Sequence, residues 1–333
     1  MKILFLGGTQ FVGRHMVAEA LKRGHNVTLF NRGKTSPELF PEAEKLRGDR
    51  DNHLEALRGR RWDAVVDVNG YVPRLVRYSC EALRDAADRY LFISTGSVYD
   101  FSKINLDSPE ESPLLKLEDE TTEEWFGPAY GGLKVLCENE VREKFPGRFF
   151  IPRLGVQAGP YDPTDRVTYW VSRAAQGGEV LAPGRADLPI QFLDTRDLSL
   201  FSLDSLEKGR SGIYNCFGHA GPWSVFLETS KKVSGSNASF TWVDDLQFLR
   251  ESIEMRSRTF GAIPMATPPN YAHLFSDRAD VRARALGLNY RALSETVRDV
   301  LAWERTRGAD EPRVAGLAPE QEHDALAKWH ARG

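Results

Sequence analysis

KILFLGGTQFVGRHMVAEALKRGHNVTLF, residues Lys2–Phe30, is the stretch that decides the fold. Lys2–Leu6 is a short, largely apolar run of the kind a strand buried on both faces shows. It leads directly into Gly7-Gly8-Thr9-Gln10-Phe11-Val12-Gly13, and Arg14–Arg23 then reads as an amphipathic helix that stops at Gly24. Asn26–Phe30 supplies a second strand and completes a βαβ unit. Strand, glycine turn and helix in this order aim the first amides of the helix at a pyrophosphate. A glycine turn that serves packing alone is the alternative; its place between strand and helix at the start of the chain argues against it.

The alternation continues outward. The tip after the second strand reads Asn31-Arg32-Gly33-Lys34. A nicotinamide fold places an acid here to hold ribose hydroxyls, and an acid repels a 2′-phosphate. Arg32 and Lys34 instead offer charge-assisted contacts to one, so the tip leans towards NADP(H) over NAD(H). Gly48-Asp49-Arg50-Asp51 follows a short strand and precedes a helix through Leu57. Trp62–Val68 is a fourth strand ending at Asn69-Gly70-Tyr71, Pro73–Ala87 a helix, and Tyr90–Ser94 a fifth strand that delivers Thr95-Gly96-Ser97-Val98-Tyr99. This pattern predicts an α/β fold, a doubly wound parallel sheet with ligands at the C-terminal ends of its strands.

PAYGGLKVLCENEV, residues Pro128–Val141, carries the chemistry. Tyr130 and Lys134 stand four apart in a run of helical composition, hence on one helix face. A fixed ammonium beneath a phenol favours the phenolate, which is how a tyrosine becomes an acid or base at neutral pH. On spacing alone an ordinary exposed helix is the commoner explanation, and the other stretches shift the balance.

Composition narrows the class. Lys+Arg 44 against Asp+Glu 47 gives a formal charge of -3, so nothing attracts a phosphate backbone and nucleic acid is disfavoured as a partner. Cys80, Cys137 and Cys216 are too few and scattered for a disulfide framework, and no histidine spacing matches a metal site. With no signal peptide or membrane-length apolar run, a soluble cytoplasmic protein is expected.

GGTQFVG at Gly7–Gly13, ISTGSVYD at Ile93–Asp100 and YGGLK at Tyr130–Lys134, in this order, resemble the extended short-chain dehydrogenase/reductases, the NAD-dependent epimerase/dehydratase family. The likeness runs over roughly residues 2–307, through Pro152–Pro160, Pro189–Asp197 and Leu293–Trp303. It implies Thr95 as the hydroxyl that positions substrate and Tyr130 as acid/base. Lys134 is implied to lower the tyrosine pKa and to bind the nicotinamide ribose. Gly7, Thr9, Gln10, Phe11, Val12 and Gly13 are implied at the pyrophosphate, Asn31, Arg32 and Lys34 at the adenosine ribose, Asp49 and Arg50 at adenine. Asn69 and Gly70 are implied near the nicotinamide-side ribose. The implied reaction is hydride transfer at an alcohol or carbonyl carbon of a small molecule, with NADP or NAD as cofactor and no metal.

The departures bear on substrate. Gln10 replaces the middle glycine of the turn. Gly96-Ser97 stand where sugar-nucleotide dehydratases carry Asp-Glu, which argues against dehydration and leaves reductase or epimerase. Val156 and Ile190 stand where family epimerases bind the substrate diphosphate, which argues against a nucleotide sugar.

The expected organisation is a dinucleotide-binding domain over 1–150, with later segments rejoining its sheet, and a substrate lobe over 151–307. Residues 308–333 form a linker and a helix, Pro319–Ala331, free to dock on its own subunit or on a neighbour; a homodimer is possible. Pocket candidates are Tyr71, Tyr161, Arg166, Trp170, Gln191 and Trp223, aromatics at this density being more often core. Ala262–Asn270 reads as a loop. The rival reading is a non-catalytic dinucleotide-binding protein with a regulatory or RNA-binding role, since GGTQFVG and FNRGK also resemble the chloroplast stem-loop RNA-binding branch of the superfamily.

Overall fold

The computed structural model describes residues 1–51, 53–105, 107–253, 265, 278–308 and 311–332. The chain forms two compact units. The first comprises Met1–Gly155, Thr195–Phe217 and Ala279–Asn289; the second comprises Val156–Asp194, Gly218–Arg278 and Tyr290–Gly333. The proposed loop at 262–270 lies, apart from Met265, outside the described residues.

The first unit is built on one parallel sheet. Its strands are β1 (Lys2–Leu6), β2 (Asn26–Asn31), β3 (Glu44–Arg47), β4 (Trp62–Asp67), β5 (Ala87–Phe92), β6 (Ser94–Thr95), β7 (Phe149–Leu154) and β11 (Gly212–Cys216). They lie in the order β11-β7-β5-β4-β1-β2-β3, with β6 paired beside β7. β1 is therefore flanked by β2 and β4, in register from Lys2↔Asn26 and Ile3↔Ala64. The strand order reverses there. Right-handed crossovers then send α1 (Phe11–Lys22) to one face and α2 (Pro73–Leu83) to the other, and the crevice at the reversal is where such sheets take ligands. The doubly wound architecture expected from the sequence is the one observed.

The Tyr-Lys helix is α3 (Tyr130–Lys144). It packs through Cys137 and Val141, four residues apart on one face, and through Phe145 just past its end, together with Leu4, Val65, Phe92 and Ile151 of the sheet. Each such fully buried aliphatic or aromatic side chain contributes about 1.5–3 kcal/mol, so the helix that carries Tyr130 is firmly seated.

Two local expectations are corrected. The helix expected through Ala87 ends at Leu83, and Ala87 already opens β5 in register with Trp62. The Ala86 carbonyl accepts from the Trp62 amide at 2.8 Å, so strand pairing overrides helical propensity there. The helix expected through Leu57 is a single 3₁₀ turn, Glu55–Leu57, without a capping side chain. One turn fixes too many dihedrals for too few hydrogen bonds to propagate.

The second unit has a three-stranded sheet, β12 (His219–Pro222), β10 (Pro189–Asp194) and β8 (Gln157–Ala158), and a parallel pair, β13 (Ser239–Val243) with β9 (Glu179–Pro183). Around Trp170, Trp223, Phe226, Val300 and Leu301 pack α4 (Thr168–Gln176), α6 (Trp223–Ser234) and α9 (Leu293–Glu304). Trp170 and Trp223 are thus core, edge to face at 5.0 Å. Gln191 is a buried clamp: its amide donates to the Gly218 and Arg278 carbonyls and accepts from the Arg278 amide. Tyr161 is partly exposed at 5.7 Å from the Trp303 ring, and Arg166 Nε donates to Thr164.

The last helix, α10 (Pro319–His330), docks on its own unit. Leu317, Ala325 and Leu326 join a cluster with Leu181, Val243, Phe248 and Leu249. Glu322 accepts from Arg173 Nε at 2.5 Å and from the Leu181 amide at 3.0 Å. No described helix is long and apolar enough to cross a membrane.

Candidate active site

β1 ends at Leu6 and the chain turns through Gly7 (φ 103°) and Gly8 (φ 100°), conformations that favour glycine. A Cβ on Gly13 would stand 2.9 Å from the Gly8 Cα, so the turn lies directly on the first turn of α1. No acid occupies that first turn and no side chain caps it, leaving its amides open to an anion. Gln10 sits at the helix start with φ -123° and ψ 146°, ordinary extended values, and its side chain is exposed. The turn therefore does not require glycine at this position. Phe11, at φ 28°, carries the backbone strain instead.

Asn31, at the end of β2, is more occupied than the sequence discloses. Its amide donates to the Gly7 carbonyl at 3.3 Å and accepts from the Gly33 amide at 2.9 Å and from Arg47. It ties the glycine turn to the tips of β2 and β3. Arg32 is largely exposed, 4.0 Å from Asp49, and Lys34 is exposed. Arg47 was missed by sequence reading. It closes β3 directly beside Asn31 in the parallel register and adds a third cation to the tip. The register that brings it there is a tertiary fact with no local signal.

Arg50 is a strut. Its guanidinium grips the fully buried Asp67 carboxylate at 2.7 and 2.9 Å and donates to the Asn69 carbonyl at 3.0 Å. Burial alone would raise the Asp67 carboxyl; the Arg50 charge, with hydrogen bonds from Arg50, Tyr90 and the Asn69 amide, holds it below the usual range. Removing one partner of such a pair typically costs about 3–5 kcal/mol. The pair fixes the loop after β4, and so the Asn69 and Gly70 backbone.

That loop meets α3 through Lys134. Lys134 is 3% exposed, and its ammonium donates to the Gly70 carbonyl at 2.7 Å and the Ile93 carbonyl at 2.6 Å, bridging the ends of β4 and β5. It also lies 4.0 Å over the Phe92 ring and 5.6 Å from the Tyr71 ring. Burial pushes its pKa down to about 8. Tyr130 opens α3, half-buried, with its ring 6.5 Å from Tyr71. Burial, with Tyr130 and Asp67 nearby, pushes the Tyr71 phenol up to about 12, so Tyr71 stays neutral. Trp125 stacks on Tyr71 at 4.6 Å and Phe126 on Trp125 at 3.7 Å, making an aromatic wall beside Tyr130. Trp125 and Phe126, five and four residues before Tyr130, also escaped sequence reading.

Thr95 ends β6 and begins the 3₁₀ turn Gly96–Val98, whose Ser97 amide it caps at 3.1 Å. This turn lies on the start of α3: a Cβ on Gly131 would stand 2.1 Å from the Ser97 carbonyl oxygen. Thr95, Tyr130 and Lys134 thus come from segments in direct contact within one unit.

A parallel sheet reversing at β1, a glycine turn on the next helix and a Tyr-x-x-x-Lys helix beside the neighbouring strand ends define a Rossmann-type protein. The chain belongs to the NAD dependent epimerase/dehydratase family, whose model matches residues 3–216. It is 33% identical over 114 residues to the chloroplast stem-loop binding protein of 41 kDa b of Arabidopsis thaliana, covering 29% of this chain and 30% of the relative. It is 28% identical over 160 residues to UDP-glucose 4-epimerase of Lactobacillus helveticus, covering 41% and 45%. The chain spans less than half the length of these curated relatives. Among solved structures, UDP-glucose 4-epimerase of Thermotoga maritima with UDP-glucose superposes with TM-score 0.68 at 17% identity, covering 92% of this chain and 99% of that one. The Bordetella bronchiseptica enzyme WbmH in complex with NAD+ gives 0.67 at 14% identity, covering 92% and 99%. The dTDP-glucose 4,6-dehydratase of Bacillus anthracis with NAD gives 0.64 at 14%, covering 92% and 97%. At these identities the likeness is one of fold.

Proposed function

We propose that this protein is a nicotinamide-dependent reductase or epimerase acting at an alcohol or carbonyl carbon of a small molecule. The observation that carries the reading is the seating of Tyr130 at the start of α3, one turn before a fully buried Lys134. The residues fit a dinucleotide: the positive-φ cradle of Gly7 and Gly8, the close approach at Gly13, and the open first turn of α1. When bound, the nicotinamide gives or takes the hydride. Tyr130 moves the proton at the substrate oxygen, Lys134 holds the nicotinamide ribose and supplies the adjacent positive charge, and the Thr95 turn orients the substrate. Thr9 to Val12 present backbone to the pyrophosphate, Asp49 borders adenine, and Arg50 acts through the loop it braces. Elimination of water requires an acid and a base beside Thr95; Gly96 has no side chain and Ser97 none that titrates. Val156 and the buried Ile190 offer no side chain to a diphosphate, which favours a substrate other than a nucleotide sugar.

For the cofactor, Arg32, Lys34 and Arg47 converge on the β2 and β3 tips and favour NADP(H). Calorimetric titration should show NADPH binding more tightly than NADH. Arg32→Ala should weaken NADPH about tenfold, the worth of one charge-assisted contact, and leave NADH unchanged. Equal affinities would place these cations in solvent.

The activity is tested by single-turnover change in nicotinamide absorbance with UDP-glucose, dTDP-glucose and phenanthrenequinone, each offered with both cofactors in the appropriate redox state. Hydride transfer to or from none of them overturns the reading. The second reading, RNA binding without catalysis, draws on the 33% match over 114 residues to a stem-loop binding protein. Tight, structure-specific filter binding at physiological salt would favour it; weak binding abolished by added salt is what a charge of -3 leads one to expect.

A further inference from the structure

Three aromatic rings form one stack beside the Tyr130–Lys134 pair. Tyr71, in the loop after β4, lies 6.5 Å from the Tyr130 ring and 5.6 Å from the Lys134 ammonium. Trp125 stacks on Tyr71 at 4.6 Å with 23° between the planes, and Phe126 stacks on Trp125 at 3.7 Å with 29°. Burial falls along the stack. Tyr71 and Trp125 are half-buried, whereas Phe126 is 66% exposed, the most exposed aromatic side chain among the described residues. Local sequence places the outer rings: Gly127 turns the chain at φ 79°, and Pro128 lies in the 3₁₀ turn Gly127–Ala129 that runs into Tyr130. A single exposed ring is ordinary, but a contiguous apolar face beside candidate catalytic groups marks a binding surface. Residues 118–124, EDETTEE, lead into Trp125 and are strongly acidic, which disfavours an anionic group there.

We propose that the wall of Tyr71, Trp125 and Phe126 is the face on which substrate docks, and that the substrate is a neutral aryl ketone or the matching secondary alcohol. The proposal rests on the reading of Tyr130 as acid/base and narrows it from reductase or epimerase to reductase. A planar ring system gains from offset stacking or edge contact with such a wall, beyond the area it removes from water. The ring lies along the wall and the carbonyl reaches Tyr130. In the reduction the carbonyl carbon takes the hydride that a reduced nicotinamide supplies when bound, and the second bond of the carbonyl breaks. The oxygen takes the Tyr130 proton, the alcohol and the oxidised nicotinamide leave, and Tyr130 regains its proton from solvent. A nucleobase is also planar, but it brings phosphates towards the acidic run, which a neutral ketone does not.

The test uses a matched pair, 1-tetralone and cyclohexanone, which differ by one fused benzene ring. Both are titrated calorimetrically into the full chain with excess oxidised cofactor, and both are offered with NADPH and with NADH in single turnover. 1-Tetralone should bind about tenfold more tightly or better, the worth of burying one ring against an aromatic face. Trp125→Leu and Phe126→Leu should each cut that ratio to about threefold or less, since an aliphatic side chain keeps the apolar contact and loses the stacking. A merely structural role for these rings would weaken both ketones alike and leave the ratio as it was. Equal binding of the two ketones by the wild type, no binding of 1-tetralone, or a ratio unmoved in both variants overturns the proposal. Selective binding of 1-tetralone without hydride transfer overturns the ketone as substrate, and so does a preference for UDP-glucose or dTDP-glucose over 1-tetralone. The underlying reading fails separately: a Tyr130→Phe rate equal to wild type removes the acid/base role, whatever the ratio of the two ketones.

Discussion

Tyr130→Phe should reduce turnover by about 10²–10⁴-fold, the contribution of a positioned general acid or base, and leave dinucleotide affinity within a factor of about two. The substitution removes only the ionisable hydroxyl. The ring keeps its place 6.5 Å from Tyr71 beside the aromatic wall, and α3 is seated through residues further along the chain, Cys137 and Val141 in the helix and Phe145 just past its end. Thermal unfolding of the variant serves as the control. The loss belongs in the hydride-transfer step and should appear equally in kcat and kcat/KM, as for an interaction made only in the transition state. Wild-type turnover in this variant would reduce YGGLK to an ordinary helix start.

Lys134→Met should damage two properties at once. Turnover should fall about 10²-fold or more, since the positive charge beside the phenol is lost. Dinucleotide affinity should fall about 10–100-fold, the worth of a charge-assisted hydrogen bond. The substitution also leaves a signature in stability. Burial pushes Lys134 down to about 8 from an ordinary 10.5. Between those values the unfolded chain holds a proton that the folded chain has released, so this residue makes stability rise with pH through that window. Below about pH 8 both states are protonated, and the cost of the buried ammonium is constant. Urea midpoints from about pH 7 to about pH 10 should show less of this rise in Lys134→Met than in wild type. Unchanged dinucleotide affinity in the variant would make Lys134 a strut between β4 and β5 and nothing more.

Much of this architecture is local enough to read along the chain. The strand-turn-helix-strand of Lys2–Phe30 is written in apolar runs and glycines, and the two glycines at positive φ stand where the turn needs them. The four-residue spacing of Tyr130 and Lys134 fixes their helix face, because a helix has one period. The departures at Gly96 and Ser97 are likewise visible in one dimension, as is the absence of a titratable side chain beside Thr95.

Other features depend on which strands become neighbours. Arg47 reaches Asn31 because β3 pairs with β2 in one register, and Arg50 is bound to Asp67, seventeen residues on, because the loop after β3 comes back to the end of β4. Lys134 was expected beneath a phenol, and the hydrogen bonds of its ammonium run to the carbonyls of Gly70 and Ile93, which no spacing rule links to it. Trp170, Trp223 and Gln191 had the composition of a pocket and are committed to the core of the second unit, since burial is decided by what packs opposite. The last helix likewise carried an apolar face in its sequence, and only the fold supplied Leu181, Val243 and Phe248 to cover it. Sequence by itself determined the order of elements and the residue types able to do chemistry, because backbone conformation and helical periodicity are short-range. Which of those residues are spent on structure and which still face a ligand was decided by tertiary contacts, because a hydrogen-bonding group is committed only once its partner is folded beside it.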